Sequence, residues 1–190
     1  MGRVYDDISE EQARWIAEQP MFFVATAASE AHVNVSPRGL DTFRVLGPNR
    51  VAWLDLTGSG VETIAHLRAD GRITLMFCAF EGLPKILRLY GQGEVLEPGD
   101  QGHEELRARF PDLPGERAII DVSVGRVADS CGYGVPLMSY EGERPHMEAW
   151  AEKKVRVGGA EEIEAYVAKK NAESIDGLPA FDRTSQTNGA

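Results

Sequence analysis

The sequence is poor in the features that name a function at once. It has two cysteines in 190 residues, Cys78 and Cys131, too few for a disulfide framework. Cys78, inside Leu75-Met76-Phe77-Cys78-Ala79-Phe80, reads as a buried small side chain. No apolar run reaches the length of a membrane span. The opening Met1-Gly2-Arg3-Val4-Tyr5-Asp6-Asp7 has no apolar signal core, so the expected location is cytoplasmic. Basic charge is scarce: 20 Lys and Arg stand against 30 Asp and Glu, a net charge of −10. A general nucleic-acid binder would carry a basic patch instead. His32, His66, His103 and His146 are scattered with no i, i+4 pair, so they read as surface or structural residues and no metal is expected. No internal repeat, low-complexity run or long linker divides the chain. Its length suits a single domain with a real core.

What is present is a strand running through a glycine turn into a helix: Leu54-Asp55-Leu56-Thr57-Gly58-Ser59-Gly60-Val61-Glu62-Thr63. Such a junction collects unpaired backbone N–H groups where an anion can be held. Ser59 and Glu62 fit a capping box, and Ile64, Ala65, Leu67 and Val61 supply an apolar stripe. Gly71 fits the residue just past the helix end. Two better-known anion motifs are missing, because the third glycine of the dinucleotide fingerprint and the Gly-Lys-Ser/Thr of a P-loop do not occur. A capped surface helix without a ligand is the alternative reading.

Ser9-Glu10-Glu11-Gln12 is a second capping box. Trp15 and Ile16 give its helix an apolar face, and Pro20 stops it. Residues 21–27 form a strand, and residues 31–36 alternate and should pair back as a hairpin until Pro37-Arg38-Gly39 interrupts. Residues 42–46 and 50–56 flank the turn Gly47-Pro48-Asn49. Strands follow at 72–77 and 85–90, with Gly91 and Gly93 where a bulge or barrel corner needs them. Residues 104–110 read as helix and 117–127 as a final long strand. Six or more strands on short links predict a closed or nearly closed antiparallel barrel, a mainly β fold with helices. Its core spans about 9–130, and residues 131–190 form an extension. There, 130–136 is a loop, 144–155 and 160–171 are helical around Gly158-Gly159, and 174–179 is turn-rich. Thr184 to Ala190 is expected to be disordered.

The order of helix, hairpin, Ser-Pro-Arg-Gly, strand, Gly-Ser-Gly helix and two strands resembles the pyridoxamine 5′-phosphate oxidase-like split-barrel flavoproteins. The resemblance covers about residues 9–130. It rests on Asn34-Val35-Ser36-Pro37-Arg38-Gly39, on residues 53–63, and on Gly71-Arg72-Ile73-Thr74-Leu75-Met76-Phe77 followed by Leu87-Arg88-Leu89-Tyr90-Gly91. It implies a six-stranded antiparallel split β-barrel with flanking helices, forming a homodimer with FMN in a groove at the subunit interface. By position, Ser36, Pro37, Arg38 and Gly39 would lie under the flavin, with Arg38 the cation for the phosphate or the ring's electron-rich edge. Leu54, Asp55, Leu56 and Thr57 match the strand end that hydrogen-bonds the isoalloxazine. Ser59, Gly60 and Thr63 match the phosphate end, and Lys85 lies near a position that approaches the ring. Two departures stand out. Gly60 and Val61 occupy positions where members carry basic residues, beside the opposing charge of Glu62. Glu148-Ala149-Trp150 and Arg156 only echo the substrate signature of the true oxidases, so that substrate is not assigned.

From the residues alone, Arg38 reads either as a solvated turn arginine or as a ligand cation, and Lys85 either as an edge-strand charge or as a ring contact. Asp55 reads as a strand-end cap or a ligand group, and Tyr133 as a packed loop aromatic or a substrate-side group. The function expected from the resemblance is an FMN-dependent oxidoreductase acting on a small organic molecule. The flavin carries the chemistry, so no catalytic acid or base need appear. The alternatives are a non-catalytic flavin-binding dimer, or the same fold holding a deazaflavin or haem. The acidic balance disfavours the long anionic tail of a deazaflavin, and no histidine is placed persuasively as a haem ligand.

Overall fold

Period-two burial organises the chain. In the computed structural model, which describes residues 2–159 and 161–181, eight strands run as β1 (Val4–Tyr5), β2 (Phe22–Thr26), β3 (Asn34–Arg38), β4 (Phe43–Gly47), β5 (Arg50–Leu56), β6 (Arg72–Cys78), β7 (Ile86–Leu96) and β8 (Glu116–Ser130). The helices are α1 (Glu10–Ala17), α2 (Glu62–Ala69), α3 (His103–Arg107), α4 (His146–Gly158) and α5 (Glu161–Lys170). The segment Thr184 to Ala190 lies outside the described residues.

The strands form one antiparallel sheet in the order β3-β2-β6-β7-β8-β5-β4, with β1 added on β8. The sheet curls on itself: Phe22 of β2 meets Phe43 of β4, five places along, with ring centroids 4.8 Å apart. This is the expected split barrel, with eight strands in place of six. The two-residue β1 is too short for any periodicity to announce it.

β5 is buried on both faces, because alternate side chains serve two different cores. Val51 and Trp53 join Phe22, Phe77, Leu89 and Ile120 inside the barrel. Ala52, Leu54 and Leu56 join Leu106, Phe110 and Ile119 in a smaller cluster under α3. Full burial contributes about 1.5–3 kcal/mol for each large aliphatic or Phe side chain. The glycine expectation in β7 holds. The β7–β8 register shifts between Tyr90 and Gly91, and a Cβ at Gly91 would strike the Ser123 carbonyl.

The helix starts divide. α1 has the expected box, with Ser9 Oγ accepting from the Gln12 N–H and Gln12 Oε1 accepting from the Ser9 N–H. The box proposed at Ser59 does not form. α2 begins at Glu62 with Val61 as its N-cap and no side-chain cap, so Glu62 sits at the first helical position rather than the third. Its carboxylate accepts instead from the Ile175 N–H at 3.4 Å. Gly71, at φ +81, follows α2 as expected.

Pro37 does not interrupt the hairpin either. β3 pairs with β2 from Phe22↔Arg38 to Thr26↔Asn34 and lies at the end of the sheet order, where a strand edge tolerates a residue without an N–H. α4 and α5 pack together through Trp150 and Tyr166, at 5.0 Å, and a Lys154–Glu162 ion pair at 3.1 Å. No helix among the described residues is long and apolar enough to cross a membrane.

Candidate functional site

The inner face of β3 and the end of β5 converge on a buried charge cluster. Alternation turns Asn34, Ser36 and Arg38 inward and leaves Val35 and Pro37 exposed. Asp55, fully buried, takes Arg117 Nε on Oδ2 at 2.5 Å. Its Oδ1 lies 3.3 Å from Arg38 Nη2, a charge contact whose geometry falls short of a hydrogen bond. Burial by itself would push the Asp55 carboxyl up. The charge of Arg117, that of Arg38 and the Arg117 hydrogen bond overcome it, and the carboxyl is held below its usual range. Asp55 is therefore an ionised partner of two arginines rather than a simple strand-end cap.

A β-bulge explains why Arg117 points inward. Asp55 faces Ala118 and Leu56 faces Glu116, so Arg117 is the extra residue on β8. A bulge of this kind re-aims one side chain while the flanking residues keep their faces. Arg117 Nη1 also donates to the Gly60 carbonyl at 2.9 Å and to Asn171 Oδ1 at 2.9 Å. Asn171 Nδ2 in turn donates to the Gly58 carbonyl at 3.1 Å. The Gly58–Ser59–Gly60 loop is thus tied down on both sides of Ser59, which is itself exposed.

Besides Asp55 Oδ1, three buried polar atoms on β3 and just past β5 have no hydrogen-bond partner: Ser36 Oγ, Arg38 Nε and Thr57 Oγ1. Gly39 leads into a strained turn, with Leu40 at φ +65 and Asp41 at φ +51. Thr42 Oγ1 donates to the Gly39 carbonyl at 2.7 Å and Arg44 pairs with Asp41 at 2.7 Å, which holds the turn. Left-handed backbone at a bulky residue such as Leu40 persists only where its surroundings over-determine it.

Not every expected site residue joins this cluster. Leu54 and Leu56 are packed into the core under α3. Thr63 is buried and accepts from Asn34 Nδ2 at 3.1 Å. Asn34 Nδ2 also reaches Thr26 Oγ1, which lies 3.1 Å from His66 Nδ1, so Thr63 belongs to an internal polar knot on α2. Lys85 is elsewhere: its ammonium sits 4.5 Å over the Trp15 ring. It lines an open groove of about 1200 Å³ with Met21, Phe80, Met138 and Tyr140. None of the other expected residues lines that groove. Tyr133 is exposed. Sequence reading missed Arg117, Asn171 and Leu40. The only local sign of Arg117 was a charged residue opening an apolar strand, and Asn171 left none.

Known proteins share this architecture. The family model for pyridoxamine 5′-phosphate oxidase matches residues 8–131. The pyridoxamine 5′-phosphate oxidase family protein ustO of Aspergillus flavus is 38% identical over 202 residues, covering 97% of this chain and 80% of its own. Among solved structures, a single-substitution variant of HupZ from Group A Streptococcus aligns with a TM-score of 0.52 at 20% identity, over 65% of this chain and 99% of its own. A Lactobacillus delbrueckii protein provisionally named as a pyridoxamine 5′-phosphate oxidase gives 0.51 at 20% identity, over 65% and 94%. At that identity the two structures bear on the fold alone.

Proposed function

This chain belongs to the pyridoxamine 5′-phosphate oxidase family, and from that premise we propose that it is an FMN-binding oxidoreductase of the cytoplasm. It works as a homodimer whose flavin groove lies between subunits, and its substrate is a small organic molecule. The observation that carries the reading is the set of unpartnered buried atoms Ser36 Oγ, Arg38 Nε and Thr57 Oγ1. An unmade buried hydrogen bond costs about 1–3 kcal/mol, so three on β3 and just past β5 are capacity that a polar ligand would fill. One fixed donor and two hydroxyls that donate or accept suit the carbonyls and ring nitrogens of an isoalloxazine. The arginine pair around one aspartate leaves a net positive charge, which favours an electron-rich ring edge. When bound, FMN would supply hydride or electron transfer, and the residues named here would bind and orient it.

The test is the absorbance spectrum of the purified protein before and after adding FMN. A flavin spectrum that saturates with FMN is the expected result. A Soret band, or no spectral change with FMN, would overturn the proposal. Bound flavin that neither a nicotinamide donor nor a small organic substrate reduces would leave a binding protein in place of an enzyme.

A further inference from the structure

We propose that the open groove between α1, residues 80–85 and residues 138–143 binds a small organic ammonium ion with a flat apolar body, seated on the Trp15 ring in the place now taken by Lys85. The proposal stands apart from the flavin reading, because Lys85 alone among the residues expected at the flavin lines this groove.

The groove has the make-up of a small-molecule site. Its volume of about 1200 Å³ is ample for a drug-sized molecule, whose sites run about 300–1,000 Å³. Trp15, Met21 and Phe80 are half-buried and give it an apolar floor, while Met138 and Tyr140 stand exposed. Its walls are joined to each other. The Met138 N–H donates to the Phe80 carbonyl at 2.9 Å, and the Tyr140 N–H donates to Glu81 Oε1 at 3.2 Å. The site is therefore formed before a ligand arrives.

Charge decides which ligand it takes. Six carboxylates and one ammonium, that of Lys85, line the groove. Asp41 is engaged by Arg44, Glu81 by the Tyr140 N–H, and Asp129 by Tyr5 and the Arg3 N–H. Glu11 and Glu18 have no ion pair or side-chain hydrogen bond among the described residues. They stand four residues before Trp15 and three after it, so helical spacing sets both beside the ring. An aromatic face flanked by unpaired carboxylates draws a cation through the ring quadrupole and the two charges together. One ammonium already lies there, with Lys85 Nζ 4.5 Å from the ring centroid. Its backbone is fixed: the Ala79 N–H donates to the Lys85 carbonyl at 2.9 Å, and a Cβ at Gly132 would lie 2.7 Å from the Lys85 nitrogen. Its side chain makes no salt bridge among the described residues and ends a flexible four-carbon stem. Lys85 is thus a tethered competitor, covering the ring in the empty groove and swinging off when an organic ammonium takes its place.

The experiment uses three probes that share a phenyl body and differ in charge: phenethylamine as the cation, phenethyl alcohol as the neutral form and hydrocinnamate as the anion. Each is titrated into the folded protein and followed by the Trp15 indole N–H resonance, assigned by its loss in Trp15→Phe. The wild type should bind the amine about tenfold tighter than the alcohol, and added salt should narrow that gap. Glu11→Gln combined with Glu18→Gln should weaken the amine about fivefold and leave the alcohol unchanged. Lys85→Met should tighten the amine about fivefold, a gain that no loss of structure would imitate. Equal binding of amine and alcohol overturns the proposal, as does a Lys85→Met variant that binds the amine no better than wild type. A Trp15 resonance that the amine does not move, as when a second copy of the chain covers the groove, overturns it too. The flavin reading keeps its own test in the FMN spectrum.

Discussion

Replacing Arg117 by Met removes the cation nearest a fully buried carboxylate. In the native protein Asp55 and Arg117 are 0% and 1% exposed and 2.5 Å apart, with Arg38 a second, partly exposed cation at 3.3 Å. Removing one partner of a buried pair typically costs about 3–5 kcal/mol, because the remaining charge stays desolvated. A domain is stable by about 5–15 kcal/mol, so Arg117→Met should lower the urea midpoint steeply without abolishing cooperative unfolding. The pH dependence has a definite sign. The native Asp55 carboxyl is held below its unfolded value, so its contribution is complete above about pH 4 and is lost as pH falls through the native value. In the variant, burial pushes the carboxyl up against Arg38 alone, and protonation relieves the penalty. The stability gap between wild type and variant should therefore be widest near neutral pH and should narrow in acid. Replacing both partners, Asp55→Leu with Arg117→Met, should recover part of the loss, since a buried pair exchanged for apolar groups is often neutral while the Gly60 carbonyl and Asn171 Oδ1 still lack their donor. A single-variant loss below about 1 kcal/mol, or a gap that does not close in acid, would refute the reasoning.

Arg38→Ala should weaken FMN by about 1.5–3 kcal/mol, the value of a hydrogen bond to a charged group, and an unchanged fluorescence titration would remove Arg38 from the site. Cys78 is buried, with burial pushing its thiol up, and Cys131 is exposed. A colorimetric thiol reagent should therefore modify Cys131 in the native protein and reach Cys78 only after denaturation; rapid native reaction of both would contradict the packing. The hydrogen bond from His32 holds the Asp176 carboxyl below its usual range, so that tie is complete above about pH 4 and fails as pH falls through the lower native value. Asp176→Asn should speed hydrogen exchange across residues 171–181 at neutral pH, and unaltered protection there would show the tie to be idle.

The readable parts of the fold were those set by near neighbours. The Ser9–Gln12 box, the end of α2 at Gly71 and the irregularity at Gly91 each depend on backbone rules acting within a few residues. Ser59 and Glu62 matched the same box pattern and failed, because α2 starts at Glu62 and leaves its carboxylate one residue past the N-cap, where it accepts from the Ile175 N–H. Pro37 looked like a break because its sheet-edge position depends on strand order, which local pattern does not encode. At the site, Ser36, Arg38 and Asp55 were legible through the resemblance; Arg38 meets Asp55, and Ser36 shares the inner face of β3 with Arg38. Arg117 and Asn171 were not, since their contacts run 54 to 113 residues along the chain and one needs a bulge to aim it. Thr63 and Lys85 carried the right chemistry but face the Asn34–His66 knot and the Trp15 ring.

The clamp on Gly58 and Gly60 also has a consequence in time. A ribosome adds about 5–20 residues per second, so roughly 5–20 s separate the synthesis of residue 60 from that of residue 171. During that interval the loop exists without the asparagine that closes it, and bringing the two together means closing a long stretch of chain. A nascent chain halted after the barrel would carry every strand and still leave the Gly58 carbonyl without its donor. Setting of the Gly58–Ser59–Gly60 loop becomes a late event in the life of the chain.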